Sequence, residues 1–299
     1  MATVALEHKL QKPNEFPDWE FQNLEVAYDA ESRSVWMNYK IGAPHHYSLA
    51  MLLEAVEMRE SLKALAQSPY AERWPIRYFV MNSNKQGVFS LGGDLATFSS
   101  SVRNRDRDSL LTYAHVCIDV MFGLTSAFGL PLITVSTVRG QCFGGGFEGA
   151  MATDFLIAEE SAKLGVPEVA FNTFPGMGAV TFLKRRLGVA LAEQIIATGA
   201  AHSGSKMHEL GVVDVLAPDG RLRETALEWM CEGGEERWER RRALADLRRN
   251  CFPITREELL RVVELWVDCS FSIGEPDLRH MERLVAAQGR LSGQRPRSA

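Results

Sequence analysis

Three consecutive glycines, Gly144, Gly145 and Gly146, constrain this chain more than any other feature. They follow residues 131–138, PLITVSTV, a short run rich in β-branched side chains and bounded by Pro and Gly, which predicts a buried strand. After them the chain opens a predicted helix that carries Glu148 in its first turn. Without Cβ atoms the backbone can come close to a ligand, and the N–H groups of a helix's first turn have no partner inside the helix. Such a turn aims donors at negative charge, the geometry of an oxyanion hole. Glu168 follows a second predicted strand, residues 155–158, in a loop marked by Gly165 and Pro167. Two carboxylates in different surroundings can then flank one reacting atom. The plainer reading is a tight strand-to-helix turn with a surface glutamate that favours the helix dipole.

A second segment favours chemistry. Residues 76–82 (IRYFVMN) read as another buried strand, leading through Lys85, Gln86 and Gly87 into VFSLGGDL, residues 88–95, a second place where backbone can approach a ligand. FSLGGDL, then a long helix, a strand, GGGFEGAMATDFLIAEESAKLGVPEV and FPGMGA, in that order, resemble the crotonase (enoyl-CoA hydratase) superfamily over residues 35–216. The resemblance implies an α/β fold, a spiral of ββα units with a helical C-terminal region. It also implies Glu148 and Glu168 as the catalytic pair, the backbone N–H groups of Gly93 and Gly145 as the oxyanion hole, and Leu91, Gly92, Phe143, Gly144, Met177 and Trp266 as acyl-pocket residues. No cofactor is implied beyond the carrier of the acyl group, coenzyme A or acyl carrier protein. In one respect the chain departs from ordinary hydratases: Pro44, His45, His46, Tyr47, Ser48 and Leu49 stand where the family has an Asn-Ala-Leu-like turn.

Composition sets outer bounds. With 46% hydrophobic and 24% charged residues, the chain can bury a sizeable core, and its net charge of −5 gives no reason to invoke nucleic acid or an anionic membrane. No apolar run reaches the length of a spanning helix, and residues 1–16 lack the apolar centre of a signal peptide. Five scattered cysteines without a C-x-x-C pair predict reduced thiols in the cytoplasm. Cys142 reads as a small buried residue under the turn rather than a nucleophile. Neighbouring His45 and His46 would not share a helical face and have no ligand at metal spacing, so no metal site is expected.

In chain order, residues 1–23 read as an arm without regular structure, residues 24–218 as the core domain, and residues 219–299 as a helical region that covers the acyl pocket or a subunit interface. Residues 24–28 and 34–40 form a half-buried hairpin. Ser48 caps a helix over residues 49–67 with Leu52, Leu53, Val56, Leu62 and Leu65 inward. Residues 99–108 are polar and Arg-rich and read as a mobile segment before a helix at 109–128 that turns Tyr113 inward. Residues 235–250 carry six arginines among acids, a solvated helix, and Thr255 with Glu258 forms a capping box for the apolar stripe that contains Trp266.

The tail, RRNCFPITREELLRVVELWVD and RHMERLVAAQ, resembles the diffusible signal factor synthases within the crotonases. That resemblance implies dehydration of 3-hydroxyacyl thioesters to cis-2-enoyl thioesters, then thioester hydrolysis that frees a fatty acid quorum-sensing signal. It implies as partners an acyl carrier protein or coenzyme A thioester, a homotrimer or other homo-oligomer, and a regulatory sensor protein. An acidic carrier protein needs a basic landing surface, for which Arg103, Arg105 and Arg107 are the first choice. An ordinary enoyl-CoA hydratase or isomerase, and a non-catalytic binding protein of the same fold, are the alternatives; a scaffold would have no need of both glutamates.

Overall fold

The computed structural model describes residues 16–291. The expected arm over residues 1–15 and the last eight residues of the C-terminal region lie outside them. A hairpin of β1 (Leu24–Asp29) and β2 (Ser34–Tyr39) leads into α1 (Leu49–Ala66), β3 (Tyr78–Ser83) and β4 (Val88–Ser90). Helices α2 (Leu95–Asn104) and α3 (Arg107–Thr125) precede β5 (Ile133–Val138), β6 (Gln141–Phe143) and α4 (Gly145–Met151). Next come β7 (Phe155–Glu159), β8 (Lys163–Gly165), α5 (Ala179–Leu187), α6 (Val189–Thr198), β9 (His202–Ser203), α7 (Gly204–Glu209) and β10 (Val215–Ala217). The chain closes with four helices, α8 (Leu222–Cys231), α9 (Gly234–Cys251), α10 (Arg256–Ser270) and α11 (Glu275–Leu291).

The strands divide between a six-stranded sheet, β1-β2-β3-β5-β7-β10, and a four-stranded one, β4-β6-β8-β9. Each turn of the spiral gives one strand to each sheet: β3 then β4, β5 then β6, β7 then β8. This is the expected spiral of ββα units with a helical C-terminal region. Among the described strands, one edge pair of each sheet, β1 with β2 and β8 with β9, runs antiparallel, and the other pairs are parallel.

Two hydrophobic layers explain why the large sheet is buried on both faces. On one side Met37, Phe79 and Met81 pack with α1 and α3; on the other Trp36, Tyr78 and Val80 pack with Leu222, Ala226 and Met230 of α8. All six residues of β2 are therefore buried, not alternately exposed as its pattern suggests. A parallel sheet covered on both faces needs apolar side chains on both. Ser48 caps α1 through Met51 N at 3.3 Å, as expected, but Leu53 is 50% exposed and Met51 and Met58 take inward places.

The described part of the arm, though irregular, is anchored. Trp19 and Phe21 are buried, the Phe16 ring stacks on Tyr28 at 5.2 Å, and Glu54 accepts the backbone N–H groups of Gln22 and Asn23. Phe79 sits at the centre of the large sheet, edge-on to Phe128 with ring centroids 4.9 Å apart. Phe79→Ala should cost about 3–5 kcal/mol, because the rigid sheet cannot collapse around the gap. The midpoint of urea unfolding monitors this, and a shift within error of zero would mean that the sheet repacks.

Candidate active site

Three adjacent parallel strands of the small sheet end together. Ser90 pairs with Cys142, and Phe143 with Gly165, so residues 91–93, 144–145 and 166–168 leave the same edge. At the carboxyl ends of parallel strands, successive loops can converge on one space. Here they converge because they lack side chains. A Cβ on Gly92, whose φ is +98°, would lie 2.9 Å from Phe143 O and 3.2 Å from Gly145 N; one on Gly145 would lie 3.4 Å from Gly93 N. Gly145 opens α4, so its N–H has no partner within the helix. Neither that N–H nor the one on Gly93 donates to another described backbone group. Two unused donors thus stand side by side.

Glu148, one turn into α4, is buried. Its Oε1 accepts the N–H groups of Met177 at 2.8 Å and Ala179 at 2.9 Å, which ties α4 to the FPGMG turn. Burial pushes its carboxyl up to about 7, although those backbone donors pull the other way. Glu168 stands in a 3₁₀ turn, Pro167–Phe171, where a loop was expected. The residue as a whole is partly exposed, but Oε2 is buried and without a hydrogen-bond partner among the described residues. Burial, and then the neighbouring Glu148 charge, raise it well above the usual carboxylate range. A Cβ at position 144 would lie 2.5 Å from Glu168 Oε1, and Gly144 has φ +51° with ψ −129°, a conformation for glycine only.

A cavity of about 310 Å³ opens over these groups. All ten residues singled out in the sequence line it: Glu148, Glu168, Gly93, Gly145, Leu91, Gly92, Phe143, Gly144, Met177 and Trp266. Phe98, Tyr113, Phe171, Met281 and Leu284 line it too and were not singled out. Phe98 belongs to α2, which corrects the mobile segment expected at 99–108. Asp94 caps this helix through Ala96 N and Thr97 N, and Phe98 and Val102 bury its inner face. The ring of Phe98 stacks on Trp266 of α10, centroids 5.0 Å apart. Met281 and Leu284 come from α11, inside the RHMERLVAAQ stretch that carries part of the tail's resemblance, but nothing local in that stretch shows that they reach the cavity.

Ion pairs hold this helical roof. Arg103 meets Glu275 and Glu282 at 2.9 Å, Arg107 meets Asp268 at 2.7 Å, and Arg185 meets Glu258 at 2.7 Å. Thr255 caps α10 through Glu258 N, but the Glu258 side chain turns to Arg185 and Thr181, so the expected capping box is half made. Two of the three arginines expected to receive a carrier protein are thus engaged by tail carboxylates.

The altered loop at residues 44–47 lies against the donor loop and pairs with it as backbone. Leu91 N donates to His45 O at 2.7 Å, and Tyr47 N to Gly92 O at 2.8 Å. Buried Lys85 donates to Pro44 O and has no carboxylate partner among the described residues; burial lowers its pKa to about 8. Cys142 lies fully buried beneath the turn, with its thiol pushed well up by burial.

The enoyl-CoA hydratase/isomerase family model matches residues 40–248, well over half of the chain, and the chain belongs to that family. The fatty acid oxidation complex subunit alpha of Psychrobacter arcticus is 26% identical over 223 residues, which cover 73% of this chain and 27% of that protein. Enoyl-CoA hydratase domain-containing protein 2, mitochondrial, of Mus musculus is 35% identical over 160 residues, covering 53% of this chain and 51% of its own length. The chain thus spans about half or less of the length of the curated relatives it matches. An enoyl-CoA hydratase/isomerase from Xanthobacter autotrophicus Py2 shares the fold, with a TM-score of 0.69, 18% identity, and 91% and 96% of the two chains covered.

The two carboxyls should titrate as a pair. Glu148→Gln removes the charge that helps to raise Glu168, so the Glu168 pKa should fall towards the ordinary range, with burial keeping part of the elevation. Carbon-13 NMR of side-chain-labelled glutamate measures this, and an unmoved Glu168 would show that the pair does not interact.

Proposed function

We propose that the cavity binds a 2-enoyl or 3-hydroxyacyl thioester, the carrier being coenzyme A, and interconverts the two by adding or removing water. The observation that carries this reading is the meeting of two coupled, raised carboxyls with two unpaired backbone N–H groups in one cavity. A thioester carbonyl set against Gly93 N–H and Gly145 N–H would spread charge from the α-carbon onto its oxygen, which makes the α-proton removable. Between the lower and the higher apparent pKa, the pair holds one proton, resting on Glu168, where burial and the charge of Glu148 favour the neutral form. In hydration Glu148 takes a proton from water as the oxygen bonds to the β-carbon, and Glu168 gives its proton to the α-carbon. Dehydration runs the same transfers in reverse.

Membership of the enoyl-CoA hydratase/isomerase family supports this activity ahead of signal synthesis. The signal-synthase reading remains a second proposal, on the strength of the aromatic roof that Phe98 and Trp266 make over the cavity. In that reading, a 3-hydroxyacyl thioester first loses water to give a cis-2-enoyl thioester; a water then adds to the carbonyl carbon, the same N–H pair holds the tetrahedral oxyanion, and the C–S bond breaks as the water's proton passes to sulfur, giving a free fatty acid and a thiol. Carrier choice favours coenzyme A, since Arg103 and Arg107 already face Glu275, Glu282 and Asp268. The helical region from Leu222 onward acts as the cover of the acyl pocket through Trp266, Met281 and Leu284.

With a 2-enoyl-CoA substrate, Glu148→Gln and Glu168→Gln should each lower kcat about 100- to 10,000-fold, the range for a lost general acid or base. The pH profile should be bell-shaped. Below about 7 both carboxyls are protonated and no base remains; above the higher value both are ionised and no acid remains. Wild-type rates in both folded variants would refute the assignment. Mass spectrometry of the products separates the two proposals, because only the second releases free fatty acid.

A further inference from the structure

We propose that Tyr113 is a positioning residue for the Gly93 donor: its hydroxyl bolts the altered loop at Tyr47 to the backbone just after Gly93. This rests on the reading of Gly93 N–H and Gly145 N–H as the donors that hold a thioester carbonyl.

The hydroxyl of Tyr113 does two things at once. It donates to Tyr47 O at 2.7 Å and accepts from Asp94 N at 3.0 Å. Asp94 N belongs to the peptide unit that follows Gly93, so the bond fixes that unit and with it the direction of the N–H one residue earlier. A Cβ on Gly93 would sit 3.4 Å from the Tyr113 oxygen, so the ring tip lies directly against the donor residue. From the other side, Tyr47 N holds Gly92 O and Leu91 N holds His45 O. Residues 45–47 therefore lie beside residues 91–94, with Tyr47 and Gly93 forming an isolated parallel bridge, and Tyr113 adds a side-chain cross-link at the same place. Glycines at positions 92 and 93 make such bracing necessary, since two flexible residues in a row have many orientations to lose.

Three features separate positioning from chemistry. The Tyr113 side chain is buried, and burial raises its hydroxyl well above the ordinary range, so it stays protonated wherever the carboxyls work. Its proton is committed to Tyr47 O. Its acceptor lone pair is committed to Asp94 N. The general acid and base roles are filled by Glu148 and Glu168, which leaves Tyr113 the task of aim.

The test uses the full chain with butyryl-CoA carrying carbon-13 at the carbonyl, an unreactive probe, and crotonyl-CoA for kinetics. In the wild-type protein the isotope-edited infrared carbonyl band should move to lower frequency on binding. Tyr113→Phe should give back much of that displacement and lower kcat about 10- to 100-fold, less than the loss of a whole oxyanion donor, with KM changed by no more than about threefold. A variant that keeps the full displacement overturns the proposal, whether or not kcat falls, because a structural role alone would leave the carbonyl's polarisation intact. An undisplaced band in the wild type instead overturns the functional reading, and the proposal with it. Should Tyr113→Phe fail to fold, 3,5-difluorotyrosine inserted at position 113 keeps ring and hydroxyl but weakens the oxygen as an acceptor. A partial return of the band then supports the proposal, and an unchanged band overturns it, whatever kcat does.

Discussion

The close approach of two backbone segments, residues 91–93 and 143–146, is the constraint on which the rest depends. Phe143 O and Gly145 N lie so near Gly92 that a methyl group there has no room, and position 146 is pressed against Ser90 in the same way. Glycine costs conformational entropy when ordered, so such a contact persists only if the surroundings hold it. Three parallel strands do so by delivering the loops from the same end of the small sheet, with an irregularity between Val88 and Ser90 in the first pair. The gain is a pair of N–H groups that remain unused in the folded chain and can serve a ligand.

Glu148 shows how the same framework tolerates a buried carboxyl. A charge so placed is costly unless hydrogen bonds accompany it. The FPGMG turn and the first residue of α5 each supply a backbone donor, and Gly176 lets that turn pass against the Trp266 side chain, where a Cβ would collide. The site therefore reaches from the small sheet through α4 and the FPGMG turn to α10. Glu168 is treated oppositely: its buried oxygen has no donor, which keeps the neutral acid favoured. In the proposed hydration these two like residues, in unlike surroundings, serve as base and acid.

The helical cover follows a different physics. Its inner surface is apolar, with Trp266 stacked on Phe98 and with Met281 and Leu284 facing the cavity, while its outer edges are fastened by ion pairs such as Arg103 with Glu275. Exposed pairs of that kind contribute little to stability, so the apolar contacts set how firmly the cover sits. The pairs help to fix its register.

The sequence by itself determined the local order of the site: a β-branched run ending at Gly144–Gly146, a glutamate one turn on, and a second glutamate after Gly165 and Pro167. Glycine and helix-start signals are local, and a single residue carries them. The element order of the spiral was legible for the same reason, as were the caps at Ser48 and Thr255. What the tertiary structure alone decided is whatever depends on partners far along the chain. Burial on both faces turned β2 from a half-exposed strand into a core one, and Asp94 with Phe98 and Val102 turned an Arg-rich stretch into a packed helix. Arg103 and Arg107 found carboxylates more than 150 residues away, which no local pattern records. The raised carboxyls have the same origin: both glutamates are ordinary in sequence, and their raised pKa values come from burial and, for Glu168, from the neighbouring Glu148 charge, which exist only once the chain has folded around them.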